Sequence, residues 1–531
     1  MFPEKIPLTR FSRLAGLAGY WPDLLANDLS PGEKRTAQAS SRPPRMRADR
    51  IIYIVLWAVV IVLKGVAIFH FRADSDETQH AHVVWGWATG QLQYRDLFDN
   101  HMPLFQVVMS PFMRVLGERA DILIWLRLAM LPFYAASVWC VYKLAALLFN
   151  ARVAAWTALY SAVWFQFFYT STEFRPDDMW AALWLGSLLV AVGGKFTVRR
   201  AFLLGVLLGL TFSVSMKTVA LVLALIPAGI IALSLVWAAD PKSISTIAVT
   251  SRLLASVAGM LVAPLAIVLY FASENAFWIM YYCVIRHNMV PGLKKWGSNP
   301  LFRWTFPAAV PLLIAYAFLI RRQCRDISLA ARRIVVILAP LLYLPILVSY
   351  WPEVTREDAL PYAPLLPLAP VPLIYLLWAG WPRLKNAPML WSFILPLAGA
   401  CEILGTCHAQ NLHNNRLGVM THSIRDVLML THRDDYVMDD KGEYIFRPRP
   451  TYWVFEPLTV IRICSGSITE DLPARLEETG TKICYFNSAR RAWPEVSKFI
   501  ASCTIFHTDH FDSIWLTSSL NLQNSVIYCA N

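Results

Sequence analysis

The chain has 531 residues, of which 56% are hydrophobic and 16% are charged, with 21 tryptophans. This composition excludes a soluble protein with hydrated helices and indicates a multi-pass membrane protein. The net charge of +12 would suggest nucleic acid in a soluble protein, but in a membrane protein Lys and Arg in the loops set the topology, so no nucleic-acid partner is expected.

A polar, basic leader occupies residues 1–50 and lacks the early apolar core and small-residue cleavage site of a signal peptide, so we expect it to stay in the cytoplasm. Apolar runs of about 17 to 25 residues then predict about eleven transmembrane helices within a membrane domain over residues 51–404. The predicted spans are 51–70, 122–149, 152–171, 178–194, 201–216, 219–238, 252–272, 304–320, 334–350, 361–379 and 388–404.

Basic residues follow the even-numbered spans, and cytoplasmic loops are the ones enriched in Lys and Arg. These residues are Arg152, Lys195, Arg199, Arg200, Lys242, Arg252, the basic residues of 321–333, Arg383 and Lys385. With their loops in the cytoplasm, the first loop (residues 71–121) and the tail (residues 405–531) lie on the outer face. We therefore expect an inner (plasma) membrane protein whose active site faces the periplasm or the outside.

The first loop begins with a dense group of acids, in Asp74-Ser-Asp-Glu-Thr-Gln-His-Ala-His82, directly after the first span. Acidic side chains are costly near hydrocarbon, so Asp74, Asp76 and Glu77 indicate a functional site. A solvated loop is the alternative interpretation.

Two stretches of the first loop, Thr78 to Trp87 and Leu104 to Leu116, mix apolar and polar positions and predict short helices lying on the membrane. His80, His82 and His101 also lie in this loop. Their spacing lacks the tight pattern of a tetrahedral zinc site, so no zinc is expected.

Further polar clusters fall on the same side of the membrane in this topology. They are Glu173-Phe-Arg-Pro-Asp-Asp178, Lys217, Arg286-His287, Lys294-Lys295 and Glu353-Val-Thr-Arg-Glu-Asp358. Lys217 lies in a turn where positive charge is not needed for orientation, and it either binds substrate or snorkels to the interface. Arg286 has the planar fork that suits a phosphate, with simple solvation as its alternative.

A carboxylate surrounded by basic groups and open to lipid suits a reaction between an anionic lipid and a polar acceptor. Glycosyl transfer from a polyprenyl phosphate fits, because cations stabilise the departing phosphate and a carboxylate, here Asp76, activates the acceptor hydroxyl as general base. Oxygen ligands from Asp74, Asp76, Glu77 and Asp177 would suit magnesium or manganese. Nothing in their spacing demands a metal, so no cofactor is required and Mg or Mn stays optional.

The polar tail contains strand-like runs, Thr481 to Phe486 and Ser513 to Thr517, that predict an extracytoplasmic α/β domain of about 125 residues. It either shapes an acceptor channel or caps the membrane domain. An oxidising compartment permits disulfides among its cysteines, without fixing their connectivity, and free thiols fit equally.

Two other classes of function compete with an enzyme. A transporter or flippase of a lipid-linked sugar would bind the headgroup without breaking a bond, but it predicts pseudo-symmetric halves with interrupted spans, which the sequence does not show. A nonenzymatic scaffold that uses its tail as a binding module leaves the charged clusters without a role.

Several of these motifs together resemble the GT-C membrane glycosyltransferases, in the bacterial protein-mannosyltransferase-like branch that includes the lipid A aminoarabinose transferase. The first loop carries Asp76-Glu77, His80, Gly90 and Tyr94-Arg-Asp-Leu-Phe-Asp-Asn-His-Met-Pro-Leu104, similar to that family's first outer loop. The later matches are Arg175-Pro-Asp177, Lys217 after the Gly-rich span 209–217, Arg356 to Pro367, and the tail segments 434–442 and 444–450.

The resemblance implies a polytopic α-helical GT-C-like fold and an inverting glycosyltransferase. Its partners would be membrane lipid, a polyprenyl-phosphate sugar as donor, and a glycan, lipid or protein hydroxyl as acceptor. Asp76 would be the catalytic carboxylate, Glu77 and Asp177 its supporting acids, and Lys217, Arg286 and Arg356 the ligands of the donor phosphate.

The resemblance assigns Asp74, His80, Tyr94, Arg175 and Tyr362 to substrate binding. Many relatives place Lys before the Pro-Leu of the first loop, where this chain has His101. A phosphate contact there would therefore depend on pH or be absent.

Overall fold

The structure is a computed structural model that describes residues 46–243, 245–290, 326–351, 354–355, 357–368, 370–372, 374, 388–485 and 514–516. Several predictions fall outside the described residues: most of the leader, the span 304–320, the Lys294-Lys295 pair, Glu353 and the phosphate ligand Arg356. Six cysteines in the described part of the chain are free thiols, namely Cys140, Cys283, Cys401, Cys407, Cys464 and Cys484.

The described chain is mainly helical. Its helices are α1 (Met46–His70), α2 (Ser75–Ala88), α3 (Leu104–Leu116), α4 (Ile122–Leu148), α5 (Ala151–Val163), α6 (Phe165–Thr170), α7 (Pro176–Val192), α8 (Val198–Val214), α9 (Thr218–Ala239), α10 (Thr246–Ser273), α11 (Phe277–Tyr281), α12 (Ile327–Tyr350), α13 (Pro388–Ala409), α14 (Leu417–Leu430), α15 (Pro457–Cys464) and α16 (Leu472–Glu478). Short 3-10 turns occupy Pro241–Ser243, Glu357–Ala359 and Ala363–Leu368, and a π-helical turn occupies Tyr282–Arg286.

Five helices in the described residues are long and apolar enough to cross a membrane. They are Arg50–His70, Ile122–Leu148, Thr218–Ala239, Thr246–Ser273 and Ile327–Ser349. Each coincides with a predicted span. The predicted spans 178–194 and 201–216 form α7 and α8, each of 17 residues, at the short end of the spanning range.

Two predicted spans differ from the structure. The span 152–171 is broken at Trp164, whose backbone (φ −56°, ψ 118°) leaves the helical region and separates α5 from α6. The span 361–379 begins as the 3-10 turn Ala363–Leu368 rather than as an α-helix, because prolines interrupt its first residues. Most of its second half lies beyond the described residues.

Helices α8 and α10 pack closely because glycines line their contact. A Cβ on Gly205 or Gly209 would collide with the α10 backbone at Ser256 or Met260, and a Cβ on Gly259 would collide with the α8 backbone at Phe202. Small residues spaced four apart allow such close approach of helices in a membrane. This packing fixes the end of α8, from which the chain continues directly to Lys217.

The first loop folds as predicted into two short helices, α2 and α3, which pack against each other and against the long helices α4 and α8. Helix α2 is buried along most of its length, from Glu77 to Gly86. Asp74 caps it, since its carboxylate accepts the backbone N–H of Asp76 at 3.2 Å. The acids of the first loop therefore lie at the start of a well-packed helix rather than in a solvated loop.

In the tail, α13 and α14 are followed by a three-stranded sheet in the order β1 (Val437–Met438), β2 (Ile483–Tyr485) and β3 (Ile514–Leu516). Strand β2 pairs parallel with β1 and antiparallel with β3. The two strand-like runs of the sequence coincide with β2 and β3. A small apolar cluster that includes Phe455 and Leu472 packs α15 and α16 near this sheet.

Candidate active site

A cavity of about 210 Å³ opens where the first loop, the ends of the long helices and the tail meet. Charged and amide side chains dominate its wall, together with a few apolar ones. The polar lining residues are Asp76, Gln79, Asn100, His101, Arg175, Asp177, Ser215, Lys217, Asn288, Thr355, Glu357, Lys441 and Glu456. Segments far apart in the sequence thus contribute to one polar chamber.

Asp76 lies between two cations. Its carboxylate accepts Arg175 Nη2 at 3.0 Å and Lys441 Nζ at 2.6 Å, and about a third of the side chain (34%) stays exposed to the cavity. Burial by itself would raise the pKa of Asp76, but the charges of Arg175 and Lys441 outweigh it and hold that pKa well below its usual range. Asp76 is therefore an ionised carboxylate at every physiological pH.

Arg175 collects the acids of this region. Besides Asp76, its guanidinium lies 3.2 Å from Asp177 and 3.4 Å from Asp74. Glu173 and Glu357 are slightly further away, at 3.6 and 3.9 Å. Arg175 takes the N-cap position of α7 in an extended conformation, and Pro176 begins the helix, so the backbone fixes its direction. The predicted residues Asp74, Asp76, Arg175 and Asp177 are thus brought together.

Glu77, next in sequence, points away from the cavity. It forms a fully buried, bidentate ion pair with Arg127 of α4, with both N–O distances 2.7 Å, and also accepts the Phe174 backbone N–H at 3.0 Å. Successive helical residues project about 100° apart, so Asp76 and Glu77 cannot both face the chamber. Glu77 supports the site by fixing α2 to α4 and to the segment that carries Arg175.

Lys217 lines the cavity at the start of α9 and forms an ion pair with the buried Asp358. Its ammonium also lies 5.5 Å from the centre of the Trp351 ring. Burial would lower the pKa of Lys217, but the Asp358 carboxylate outweighs that effect and raises it. Lys217 is therefore held charged beside the chamber rather than snorkelling to an interface.

His101 also lines the cavity, with Nδ1 at 2.7 Å from the buried carboxylate of Asp99. Burial opposes protonation, but Asp99 raises the pKa of His101 above its ordinary value. His80 lies against it, with ring centroids 4.6 Å apart, and is buried. Burial and the nearby charges of His101 and Arg175 hold the pKa of His80 well below its ordinary value, so His101 takes up a proton at a higher pH than His80 does.

Asp74, Glu77 and His80 lie next to the cavity without lining it, and three further predicted site residues also lie outside its wall. Tyr94 is buried, and its hydroxyl donates to the His101 carbonyl at 2.6 Å, so it positions the loop instead of meeting a substrate. Tyr362 packs against Tyr343 in the apolar core, with ring centroids 6.1 Å apart. Arg286 is exposed on the π-helical turn, and the same turn places Asn288 in the cavity wall.

The tail supplies two residues that sequence reasoning missed, Lys441 and Glu456. Lys441 is presented by a tight loop whose Gly442 has φ +93° and packs so close to His82 that a Cβ would lie 2.8 Å from the His82 ring. The Ile445 carbonyl accepts a hydrogen bond from His82 Nδ1 at 2.7 Å, and the Asp439 carboxylate accepts the Gly442 N–H at 2.7 Å. The tail segment 434–442 was visible as a motif, but its contact with Asp76 was not.

Long apolar helices, with a charged chamber where the first loop, the ends of these helices and the tail meet, define a helical membrane protein. Two structures of ArnT from Cupriavidus metallidurans share this fold. The one bound to undecaprenyl phosphate matches with a TM-score of 0.59 at 13% identity, over 88% of this chain and 98% of that chain. The apo structure matches with a TM-score of 0.60 at 13% identity, over 87% and 97%.

This likeness confirms the coarse prediction of a GT-C-like helical fold that resembles that of the lipid A aminoarabinose transferase. No family model and no curated protein matches the sequence. The resemblance therefore lies in the fold and in a few short motifs rather than in overall sequence identity.

Proposed function

We propose that the protein is an inverting glycosyltransferase that moves a sugar from a polyprenyl-phosphate donor to a hydroxyl of a glycan, lipid or protein at the outer face of the inner membrane. The observation that carries this proposal is the Asp76 carboxylate, ionised and exposed to a chamber whose other walls hold Lys217, His101, Arg175 and Lys441. The ArnT structure that contains undecaprenyl phosphate supports a lipid phosphate as the anionic partner of those cations.

In the proposed reaction, the acceptor oxygen attacks the anomeric carbon of the donor from the face opposite the phosphate. The new carbon–oxygen bond forms as the bond to the phosphate oxygen breaks, which inverts the configuration. The proton of the acceptor hydroxyl passes to Asp76, and the polyprenyl phosphate leaves with the bonding electron pair. Lys217 and His101 compensate the negative charge that develops on it.

The low pKa of Asp76 shapes this mechanism. A carboxylate held between two cations is a weak base, so it accepts the proton late, when the attacking oxygen has already become acidic through bond formation. A phosphate departs readily once its charge is compensated, so no general acid is needed. Arg175 and Asp177 hold Asp76 in place, and Glu77 does so from the opposite side of α2.

The arrangement around Arg175 bears on metal dependence. Asp74, Asp76 and Asp177 each contact a different nitrogen of the Arg175 guanidinium, which supplies the positive charge among them. The described residues contain no group of three or more His, Cys, Asp or Glu side chains placed to hold a metal ion. The proposed reaction therefore takes its positive charge from side chains, and activity should persist in excess EDTA.

The test is turnover of a panel of undecaprenyl-phosphate sugars by purified protein in lipid nanodiscs, with mass spectrometry of the released undecaprenyl phosphate. Consumption of one donor, together with a glycosylated acceptor, supports the proposal. A donor that stays intact in this assay, yet crosses the bilayer of proteoliposomes, contradicts it and favours the alternative, a flippase of a lipid-linked sugar.

Replacing Lys441 tests the contribution of the tail to catalysis. Without this cation, Asp76 keeps only Arg175 as a close partner, so the pKa of Asp76 should rise toward its ordinary value. For Lys441→Ala we therefore expect an acid limb of the pH–rate profile displaced to higher pH. Lys441→Arg should keep the native profile. Lys482→Ala removes a tail lysine outside the cavity wall and should leave the acid limb where it is; an unshifted acid limb in Lys441→Ala would contradict the assignment.

The His101 side chain predicts a pH dependence of donor binding. Because Asp99 raises the pKa of His101, the imidazolium is present at low pH and is lost as the pH rises through that raised value, which lies above about 6.5. The donor KM of the native protein should therefore increase with pH through that range. The other charges that face His101 are Asp76, which stays ionised, His80, which stays neutral, and Glu456.

Two substitutions isolate this effect. His101→Gln should have a high donor KM at all pH values, whereas His101→Lys should keep a low KM to higher pH. The same rise of KM with pH in His101→Gln as in the native protein would assign the titration to another group.

A further inference from the structure

Besides its cationic residues, the chamber wall contains an acid and two amides, Glu456, Asn100 and Asn288. Glu456 precedes α15 at the N-cap position, yet its carboxylate makes no bond to the helix N–H groups. It turns instead toward the first loop and accepts Asn100 Nδ2 at 2.8 and 3.0 Å. The Glu456 carboxylate therefore interacts with the first loop and the chamber rather than with the N-terminus of α15.

The two amides have fixed orientations. Asn288 Nδ2 donates to the Asn100 carbonyl and to the Val284 carbonyl, both at 2.9 Å, and its Oδ1 accepts Asn100 Nδ2 at 3.2 Å. Rotating the Asn100 amide would set its oxygen against the Glu456 carboxylate, so the network determines which atom faces which. All the donors of this wall are consequently occupied.

What the wall leaves open is acceptor capacity. Asn100 Oδ1 is buried in this wall and has no hydrogen-bond partner within the described part of the chain. The Glu456 carboxylate has about four acceptor positions. Both of its oxygens accept from Asn100 Nδ2, and Oε1 also accepts from His287 Nε2 at 3.0 Å. A ligand that fits must therefore donate hydrogen bonds, and a neutral sugar offers hydroxyl groups that do so.

The carboxylate is also rigidly held. His287, which donates to it, is buried and stacks on Trp453, with ring centroids 5.9 Å apart and planes 15° from parallel. Thr459 Oγ1 lies 3.2 Å from the same ring nitrogen. A preorganised acceptor loses little conformational entropy when a ligand binds, which is a general requirement for specificity.

From these contacts we infer that Glu456 and Asn100 form the subsite that binds the hydroxyl groups of the transferred sugar. This inference rests on the proposed function, since it places the sugar beside the cations that would hold the lipid phosphate. The tail then determines which sugar the protein takes, in addition to supplying Lys441.

The experiment compares binding of bare undecaprenyl phosphate with binding of undecaprenyl-phosphate hexoses and pentoses, in nanodiscs, by the native protein and by Glu456→Gln. The native protein should bind at least one sugar-bearing lipid more tightly than the bare one. Glu456→Gln should weaken that binding by about 10- to 100-fold, because one hydrogen bond to a charged group is lost, and should leave bare undecaprenyl phosphate unaffected. Retained binding of the bare lipid also shows that the variant is folded.

Asn100→Ala should act in the same direction, and Glu478→Gln, an exposed carboxylate on α16, should have no effect. Native-like sugar binding by Glu456→Gln, an equal loss for the bare lipid, or no preference of the native protein for any sugar would each overturn the subsite. Turnover distinguishes the two proposals: a donor that is bound through Glu456 but never cleaved removes the transferase, whereas normal turnover with an unchanged KM in Glu456→Gln removes only the subsite.

Discussion

Asp76→Asn is expected to lower the rate of sugar transfer by about 10²- to 10⁴-fold, the usual contribution of a general base. The amide has the shape of the carboxylate but cannot take the proton of the acceptor. The variant also removes a negative charge from between Arg175 and Lys441, leaving both cations free for an anion. Its affinity for undecaprenyl phosphate should therefore equal or exceed that of the native protein.

The measurement combines single-turnover kinetics with lipid binding and thermal unfolding. The matched control is Asp96→Asn, which alters an exposed ion pair with Arg95 in the same loop and should keep full activity. Because Arg175 and Lys441 stabilise the ionised Asp76 in the folded protein, its replacement should lower the unfolding temperature, and retained lipid binding then shows that the variant is folded. Near-native transfer by Asp76→Asn would remove Asp76 as the base, and loss of lipid binding would make its role structural.

The local features of the first loop were predictable because the information lies within a few residues. Mixed apolar and polar positions give the helices α2 and α3, and Asp74 is a typical N-cap two residues before Asp76. The contact of Asp76 with Arg175 joins residues 99 positions apart. Sidedness of the membrane placed both on one face, and the family resemblance assigned Arg175 to substrate binding, but the ion pair between the two was not predicted.

The contact of Lys441 with Asp76 could not be predicted from local sequence patterns. Lys441 is 365 residues from Asp76, in a polar tail where a lysine is ordinary and no periodic pattern marks a site. Its position depends on the left-handed backbone at Gly442 and on the fit of the loop against His82. Such a contact is specified by tertiary packing and not by any local property of the sequence.

The misplaced residues have a related explanation. Residue type suggested that Arg286 meets a phosphate, but Arg286, at the end of the π-helical turn Tyr282–Arg286, is exposed, whereas Asn288, two residues later, lines the cavity. Likewise, two adjacent acids on α2 gave no indication of which one faces the chamber. Residue types predicted a charged site at the membrane surface. Which of those residues face the cavity depends on the backbone conformation of single turns, which the sequence does not show.

Glu77 gives the second large effect, on stability. In Glu77→Ala the fully buried Arg127 loses its bidentate partner, and the Phe174 N–H loses its acceptor. Breaking a buried ion pair from one side costs about 3–5 kcal/mol, because the remaining charge is uncompensated. We expect a loss of that size in the free energy of unfolding, measured by denaturant titration in detergent micelles. By contrast, Glu478→Ala, which breaks the exposed pair with Arg475, should cost about 0–1 kcal/mol.

A double substitution separates the charge from the packing. Glu77→Met with Arg127→Met removes both buried charges and keeps apolar volume, so it should recover most of the stability lost in Glu77→Ala. If stability returns, the transfer activity of the double variant shows whether the ion pair also positions the site. We expect kcat to fall although Asp76 is still present, because α2 then packs without the bonds that fix its first residues. Full activity in a stable double variant would limit the role of Glu77 to folding. An unstable double variant would show that the hydrogen bonds to the backbone contribute more to stability than the charge pair does. These bonds are the one that Glu77 accepts from the Phe174 N–H and those that Arg127 donates to the carbonyls of Ile68, Phe71 and Arg72.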